Sequence, residues 1–211
     1  MLRKTILLAV LCVVLTTPAF AVSVKIESLA NQTSVRGDST NASFSAQTGI
    51  GGGAELSIPF SSNMSFDIGA LYIQRKYKDD ITGGLLKGFS AVQTQGAVEI
   101  PVLLRWWLGS VFSVGVGGYY VSYMGNIKNT TTTPAGVSTD TMLTYADAGQ
   151  TKSDVGLSLA VGLDIPMGMM TGLVIDGRYN YGLKNQSTTG TAKFSDMQGI
   201  IGLRFGMNMM K

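Results

Sequence analysis

Apolar and polar residues alternate with a period of two over most of the chain after residue 42, which is the pattern of β-strands with two different faces. In residues 43–60 the even positions, beginning with Phe44, are mostly apolar, whereas the odd positions are Ser, Gln, Gly, Glu and one Pro. The same alternation recurs in residues 64–77, 91–105, 153–166, 171–184 and 193–205. Residues 111–124 alternate less cleanly, and the pattern favours a bulge at Gly117 and Gly118.

The connections between these seven predicted strands alternate between short and long. Bacterial outer-membrane barrels place short turns on one side and longer loops on the other, and they have an even number of strands. The alternating residues 22–30 are therefore predicted to be the first of eight strands. The sequence predicts an all-β fold, an eight-stranded antiparallel up-and-down transmembrane β-barrel. Its long external loops are expected near residues 31–42, 78–90, 125–152 and 185–192.

The first 21 residues have the layout of a secretory signal peptide. Arg3 and Lys4 precede an apolar stretch at residues 5–16, and Ala19 and Ala21 form a small-residue cleavage pattern. The apolar stretch is shorter than the roughly 20 residues that a spanning helix needs. We expect cleavage after Ala21, which leaves residues 22–211 as a single outer-membrane β-barrel domain.

The composition limits the chemistry that is available to this domain. The chain has no His, and its one Cys, Cys12, lies in the predicted signal peptide. A Ser–His nucleophile pair and a His-bearing zinc site are therefore impossible. The formal charge of +3 is near neutral and gives no reason to propose a nucleic-acid partner. We expect no catalysis, no cofactor and no metal.

Aromatic residues gather near the ends of the predicted strands. Amphipathic rings prefer the headgroup level, so two belts are typical of a membrane barrel, whereas a soluble barrel would bury aromatics in mid-strand. Further aromatic residues toward the long-loop ends of the predicted strands are Phe44, Tyr77, Tyr119, Tyr123 and Phe194, and Tyr145 lies in mid-loop. The predicted interface aromatics are Phe60, Phe66, Trp106, Trp107, Phe112 and Phe205 at the short turns and Tyr72, Tyr120, Tyr179 and Tyr181 toward the long loops.

Charged residues collect on the polar face of the predicted strands. About eight strands enclose an interior just wide enough for side chains to fill, and charges buried there must be paired. We therefore expect a structural network of salt bridges rather than catalytic carboxylates or a wide channel. The predicted interior network consists of Glu55, Asp67, Arg75, Glu99, Arg105, Asp154, Asp164, Asp176, Arg178, Asp196 and Arg204.

One stretch, residues 99–106 (EIPVLLRW), resembles the "EIPLLLKY" strand of the PorT-like outer-membrane β-barrel family. The size and the Gly-rich strands are similar to small eight-stranded barrels of the OmpX and OmpA-membrane-domain kind. Residues 199–205 resemble the terminal signal that the barrel-assembly machinery reads. This resemblance implies a barrel fold in the outer membrane of a Gram-negative bacterium, with outer-membrane lipid and the assembly machinery as partners. It implies no activity.

Three functions remain open at this point. The first is a monomeric barrel with a structural or surface-interaction role, whose Thr-rich loop 125–152 binds a surface ligand or another cell, or only shields the barrel rim. The second is a narrow channel for ions or small solutes. The third is a soluble exported barrel that binds an apolar ligand in its interior.

Overall fold

The computed structural model of the protein describes residues 22–37, 42–84, 86–188 and 190–206. The predicted signal peptide lies outside these residues. The described strands are β1 (Ser23–Arg36), β2 (Ala42–Ser61), β3 (Met64–Ile81), β4 (Ser90–Leu108), β5 (Phe112–Thr132), β6 (Ser138–Leu143), β7 (Ser153–Pro166), β8 (Thr171–Gly182) and β9 (Lys193–Phe205).

Eight of these strands form a closed antiparallel ring. Each strand pairs with the next in the order β1, β2, β3, β4, β5, β7, β8 and β9, and β9 pairs back with β1. The remaining strand, β6, pairs with β5 outside the ring. The predicted eight-stranded barrel is therefore confirmed. Closure leaves the ring without an unpaired edge, which a sheet in hydrocarbon requires.

The additional strand lies in the predicted loop 125–152. The chain continues as β5 to Thr132, turns, and returns as β6, with pairs from Ile127↔Leu143 to Thr132↔Ser138. The sequence prediction missed this hairpin because its Thr-rich residues show no apolar alternation, although Thr is a good strand former. The first loop was also predicted too long, since β1 extends to Arg36.

The alternation along the strands sorts residues into an inward and an outward face, with one irregularity in β2. The register of β2 against β3 shifts between Gln47 and Gly51. This bulge reverses the face of the residues before it, so Phe44 turns inward and contacts Tyr77, with ring centroids 6.5 Å apart. The prediction that placed Phe44 on the apolar outer face is wrong for this reason.

The irregularity predicted in β5 lies nearer the long loop. Gly117 and Gly118 pair with β4 in an unbroken register, whereas the pairs Gly96↔Met124 and Thr94↔Lys128 leave three residues of β5 opposite one residue of β4. The alternation looked ambiguous because Tyr119 and Val121 are apolar and yet face inward. The interior is therefore not polar along its whole length.

The outward face is apolar. Leu159, Ile175 and Ile201 expose 57%, 41% and 56% of their surface, whereas the charged residues that alternate with them are buried. This is the reverse of a soluble protein, whose apolar residues lie inside. Within the described residues, no helix is long and apolar enough to cross a bilayer.

Candidate functional site: the barrel interior

A layer of ion pairs fills the half of the interior nearest the short turns, here called the short-turn half. Arg105 on β4 donates from Nε to Asp67 on β3 at 2.8 Å, and from Nη1 and Nη2 to Asp176 on β8 at 2.9 and 2.7 Å. Lys25 also contacts Asp67, at 2.6 Å. Because β5 and β7 separate β4 from β8 in the ring, the Arg105 side chain crosses the lumen.

Two further connections cross the lumen toward its middle. Arg178 on β8 donates to Glu55 on β2 at 2.9 Å. Glu99 on β4 accepts from the Gln198 amide on β9 at 3.0 Å and from the Asn180 amide on β8 at 3.1 Å. Since β4 and β9 lie on opposite sides of the ring, this contact spans its full width.

One arginine connects the walls nearest the long loops, in what is here called the long-loop half. Arg75 on β3 bonds Asp154 on β7 at 2.7 Å and Asp196 on β9 at 2.9 Å, and it also donates to the Tyr123 hydroxyl. Its guanidinium carbon lies 5.1 Å from the centre of the Phe194 ring. Arg75 is fully buried.

Apolar and aromatic side chains surround Arg75. This apolar cluster is closed at the loop side by Tyr145, which is buried and stacks on Tyr123 with ring centroids 5.4 Å apart. Burial raises the pKa of Tyr145 to about 12. The loop after β6 therefore folds back over the opening of the barrel. Buried members of the cluster include Leu29, Leu71, Ile73, Tyr77, Ala97, Tyr119, Val121, Tyr123, Ile127, Tyr145, Phe194 and Ile200.

Hydrogen bonds between amides and a hydroxyl seal the same opening. The Gln150 amide, from the loop after β6, donates to the Tyr77 hydroxyl at 2.9 Å and to Gln93 at 2.8 Å. Gln95 donates to the Gln150 oxygen at 2.5 Å. The loop is thus attached to inward residues of both β3 and β4.

The structure buries all eleven of the predicted interior charges, each with 3% or less of its surface exposed. Ten of them take part in salt bridges between described residues, and Glu99 is held by amides instead. Asp164 and Arg204 pair with each other at 2.5 Å near the short turns. That this network has a structural role remains a prediction.

The sequence prediction omitted two interior charges, Lys25 and Glu27 on β1. They are 2% and 3% exposed, and both carboxylate oxygens of Glu27 are buried without a hydrogen-bond partner among the described residues. The signal was available, because the alternation that identified this strand places both residues on its polar face.

Nine of the ten predicted interface aromatics point outward. Trp107 is the exception, because it is only 8% exposed and its indole donates to Ser65 inside the barrel at 3.3 Å. Consecutive residues of a strand point to opposite faces, so Trp106 and Trp107 cannot both face lipid. The outward nine are Phe60, Phe66, Tyr72, Trp106, Phe112, Tyr120, Tyr179, Tyr181 and Phe205. Their placement at the headgroup level stays a prediction.

In the described part of the chain, no three acidic side chains lie together in a way that could hold a metal ion. Apart from Glu27, and from Asp79 at the long-loop opening, the interior carboxylates of the described residues accept from arginine, lysine or amide donors. These ion pairs and hydrogen bonds connect strands on opposite sides of the ring.

A closed ring with an apolar outer face and an ionic interior defines a transmembrane β-barrel. Residues 19–187 match the family described as "Outer membrane protein beta-barrel domain", and the chain belongs to this family. It is a protein of the bacterial outer membrane. The predicted kinship with small outer-membrane barrels is confirmed, and the alternative of a soluble exported barrel is wrong. No curated protein matches the sequence.

Solved structures share the fold at low identity. OprG from Pseudomonas aeruginosa is 13% identical with a TM-score of 0.52, over 89% of this chain and 96% of that one. The protease OmpT from Escherichia coli is 11% identical with a TM-score of 0.50, over 91% and 99%. Ail of Yersinia pestis, solved with the heparin analogue sucrose octasulfate, is 13% identical with a TM-score of 0.42, over 88% and 99%. Because OmpT is a protease, the fold alone does not decide whether a barrel is catalytic.

Proposed function

We propose that this protein is a plugged, monomeric barrel that holds its long loops at the cell surface and neither conducts solutes nor catalyses a reaction. The observation that supports this proposal is the set of side-chain bridges that cross the lumen at successive levels. Arg105, Glu99 and Arg75 each connect strands on different sides of the ring.

Opening a passage would require several of these bridges to break together. Removing one partner of a buried ion pair typically costs about 3–5 kcal/mol because the other charge stays unpaired. The Gln150 and Tyr145 contacts close the long-loop side as well. A narrow channel is therefore the less favoured function.

The proposal that the barrel is not an enzyme is supported by the state of its carboxylates. A carboxylate that acts as general acid or base must reach the substrate proton within hydrogen-bond distance. Asp67, Asp154 and Asp176 are each held by an arginine and are at most 2% exposed. The chain has no His that could serve instead.

The surface role is assigned to the hairpin formed by the end of β5 and by β6. Recognition residues commonly lie on loops that a rigid scaffold positions. Lys128 and Thr130 both bond Asp140 across this hairpin, at 2.8 and 2.7 Å. Val137 and Met142 are 62% and 67% exposed. These exposed apolar side chains on an ordered hairpin are the part of the loop that we expect to meet a surface ligand or another cell.

Conductance in planar bilayers tests the plugged state. The purified wild-type barrel is expected to show no current steps above the bare membrane. The positive control is a triple variant without the bridging side chains, with Arg75→Ser, Arg105→Ser and Arg178→Ser. This variant is expected to conduct if it folds. Folding is checked by the shift in gel mobility between unheated and heated samples. Regular current steps from the wild type would contradict the proposal and favour a channel.

Adhesion of cells that express the protein tests the surface role. The variant Val137→Ser with Met142→Ser is compared with the wild type and with Met169→Ser, an exposed residue in a short turn. Loss of adhesion in the hairpin variant alone would support the proposal. Equal adhesion of all three proteins would contradict it.

A further inference from the structure

The outer surface has a groove on the side formed by β7, β8 and β9. Its cavity of about 430 Å³ is lined on the outward rows by Leu159, Val161, Gly177, Tyr179, Met197 and Gly199. Gly177 and Gly199 lie directly opposite each other in the sheet, between Val161 on β7 and Ala30 on β1. Two neighbouring residues without side chains thus form the floor of the groove.

The groove is open rather than filled by its neighbours. A Cβ atom built on Gly199 would meet no atom within 4 Å, and one on Gly177 would meet only a Val161 methyl group at 3.5 Å. The barrel surface around the groove is apolar and faces hydrocarbon, so a hydrocarbon chain is the ligand that its chemistry suits.

Two cations lie at the long-loop end of the same strands. Arg36 on β1 and Lys193 on β9 are direct partners in the sheet. Arg36 lies across β9, where its Nε donates to the Ser195 hydroxyl at 2.6 Å, its Nη2 donates to the Gly182 carbonyl at 2.8 Å, and its guanidinium stacks on Tyr181 at 3.7 Å. The arginine is thus fixed on the outer surface, above the groove.

No carboxylate competes for these cations on the outward rows of β1, β7, β8 and β9. The acidic residues of these strands, namely Glu27, Asp154, Asp164, Asp176 and Asp196, are all buried in the barrel interior. The hydrogen bonds of Arg36 use its Nε and Nη2 and hold its guanidinium in one geometry, with Nη1 outside them. A guanidinium fixed in this way next to a lysine is a suitable site for a phosphate group.

The spacing between the groove and the cations matches one leaflet of a membrane. Gly199 lies six residue steps along β9 from Lys193, which is roughly 20 Å along an antiparallel strand. With a strand tilt of about 40° this becomes roughly 15 Å along the membrane normal, half of a hydrocarbon core of about 30 Å. Gly199 therefore lies near the middle of the bilayer when Arg36 and Lys193 lie at the headgroup level.

We propose that this surface is a binding site for one anionic lipid of the leaflet that meets the long loops, with its phosphate on Arg36 and Lys193 and an acyl chain in the groove over Gly177 and Gly199. The inference depends on the outer-membrane location and is independent of the proposed plugged state.

The test uses the full mature barrel in phosphatidylcholine vesicles that contain a small fraction of spin-labelled phosphatidylglycerol, with the label near the end of one acyl chain. Electron paramagnetic resonance measures the immobilised fraction, and spin-labelled phosphatidylcholine serves as the reference lipid. The wild type is expected to prefer the anionic lipid several-fold. Gly199→Leu, which fills the groove without a backbone clash, and the double variant Arg36→Gln with Lys193→Gln are each expected to remove this preference.

Two control variants make changes of the same kind elsewhere on the ring. Val116→Leu enlarges an outward residue of β5, and Lys78→Gln removes a cation at the long-loop end of β3; both are expected to retain the wild-type preference. Gel mobility shows that each variant is folded. If Gly199→Leu binds the anionic lipid like the wild type, or if Lys78→Gln weakens binding as much as the Arg36 and Lys193 variant, the site is refuted.

Discussion

The two halves of the barrel interior are filled in different ways. In the short-turn half, Lys25, Arg105 and Arg178 share the carboxylates of Glu55, Asp67 and Asp176, and Arg204 pairs separately with Asp164. In the long-loop half, Arg75 alone serves Asp154 and Asp196, inside a cluster of apolar and aromatic side chains.

The two halves differ in how many partners a buried carboxylate keeps when one arginine is removed. Asp67 keeps Lys25 and the hydroxyls of Ser57 and Ser65 if Arg105 is removed. Asp154 and Asp196 keep no cation if Arg75 is removed, although hydroxyl and amide donors remain. A buried charge that loses its only ionic partner costs more than one that keeps a second partner. The long-loop half should therefore depend more strongly on its single arginine.

Replacing Arg75 should have the largest effect. Arg75→Met leaves two carboxylates in apolar surroundings and is expected to lower the free energy of unfolding by about 3–5 kcal/mol. Urea unfolding of the vesicle-reconstituted barrel measures this. Adding Asp154→Asn and Asp196→Asn should restore part of the loss, because neutral amides no longer need the cation. A triple variant as unstable as Arg75→Met would show that lost packing is responsible.

Truncating the apolar cluster should have the next largest effect. Ile73 is fully buried beside Arg75, and Ile73→Ala is expected to cost about 3 kcal/mol through the cavity that it leaves. Ile175→Ala, on the lipid-facing surface, is the matched control and should cost clearly less, since lipid chains fill the space. Equal losses in urea unfolding would mean that the long-loop half is not packed as a core.

Replacing Arg105 should cost less than replacing Arg75. Arg105→Met removes hydrogen bonds to Asp67 and Asp176 but leaves Lys25 near the first and Arg178 3.6 Å from the second. We expect a loss of about 2 kcal/mol, within the range for hydrogen bonds to charged groups. Combining Arg105→Met with Lys25→Met should then cost more than the sum of the single changes. An Arg105 variant less stable than the Arg75 variant would reverse the comparison.

The exposed hairpin should show the smallest effect. Hydrogen bonds from Lys128 and Thr130 lower the pKa of Asp140 below its ordinary value. Any stabilisation that the ionised carboxylate gives the hairpin is therefore fully present above the ordinary pKa of an aspartate, and it is lost as the pH falls through the lowered pKa. Nuclear magnetic resonance should show the Asp140 carboxyl shift moving back toward its ordinary titration range in Lys128→Gln. Barrel unfolding should not change, because exposed ion pairs contribute little. An unchanged titration would show that the pair does not form in solution.

The parts of the fold that depend on local alternation were predictable. Strand positions, the outward Leu159 and Ile175, and the burial of all eleven predicted charges follow from the period of two, because adjacent residues of a strand must face opposite sides. The same rule, applied to residues 22–30 and to Trp106 and Trp107, would have placed Lys25, Glu27 and Trp107 inside. The sequence prediction left out Lys25 and Glu27 and assigned Trp107 to the wrong face.

The remaining features depend on contacts between distant strands. Nothing local marks the bulge that turns Phe44 inward, nor the return of β6 along β5, since both are set by register against a neighbouring strand. The partners of Arg75 lie 79 and 121 residues away along the chain. The groove over Gly177 and Gly199 exists only because β8 and β9 align these two residues.

The amino-acid sequence alone determined the barrel, its outward apolar face and the set of charges enclosed in it, because each strand must present hydrocarbon to lipid on one side and its polar side chains to the interior on the other. Only the tertiary structure decided which charges meet, which half of the interior depends on one arginine, and where two glycines and two cations fall on one side of the ring. Those pairings depend on ring closure and strand register, which bring together residues that local periodicity does not relate.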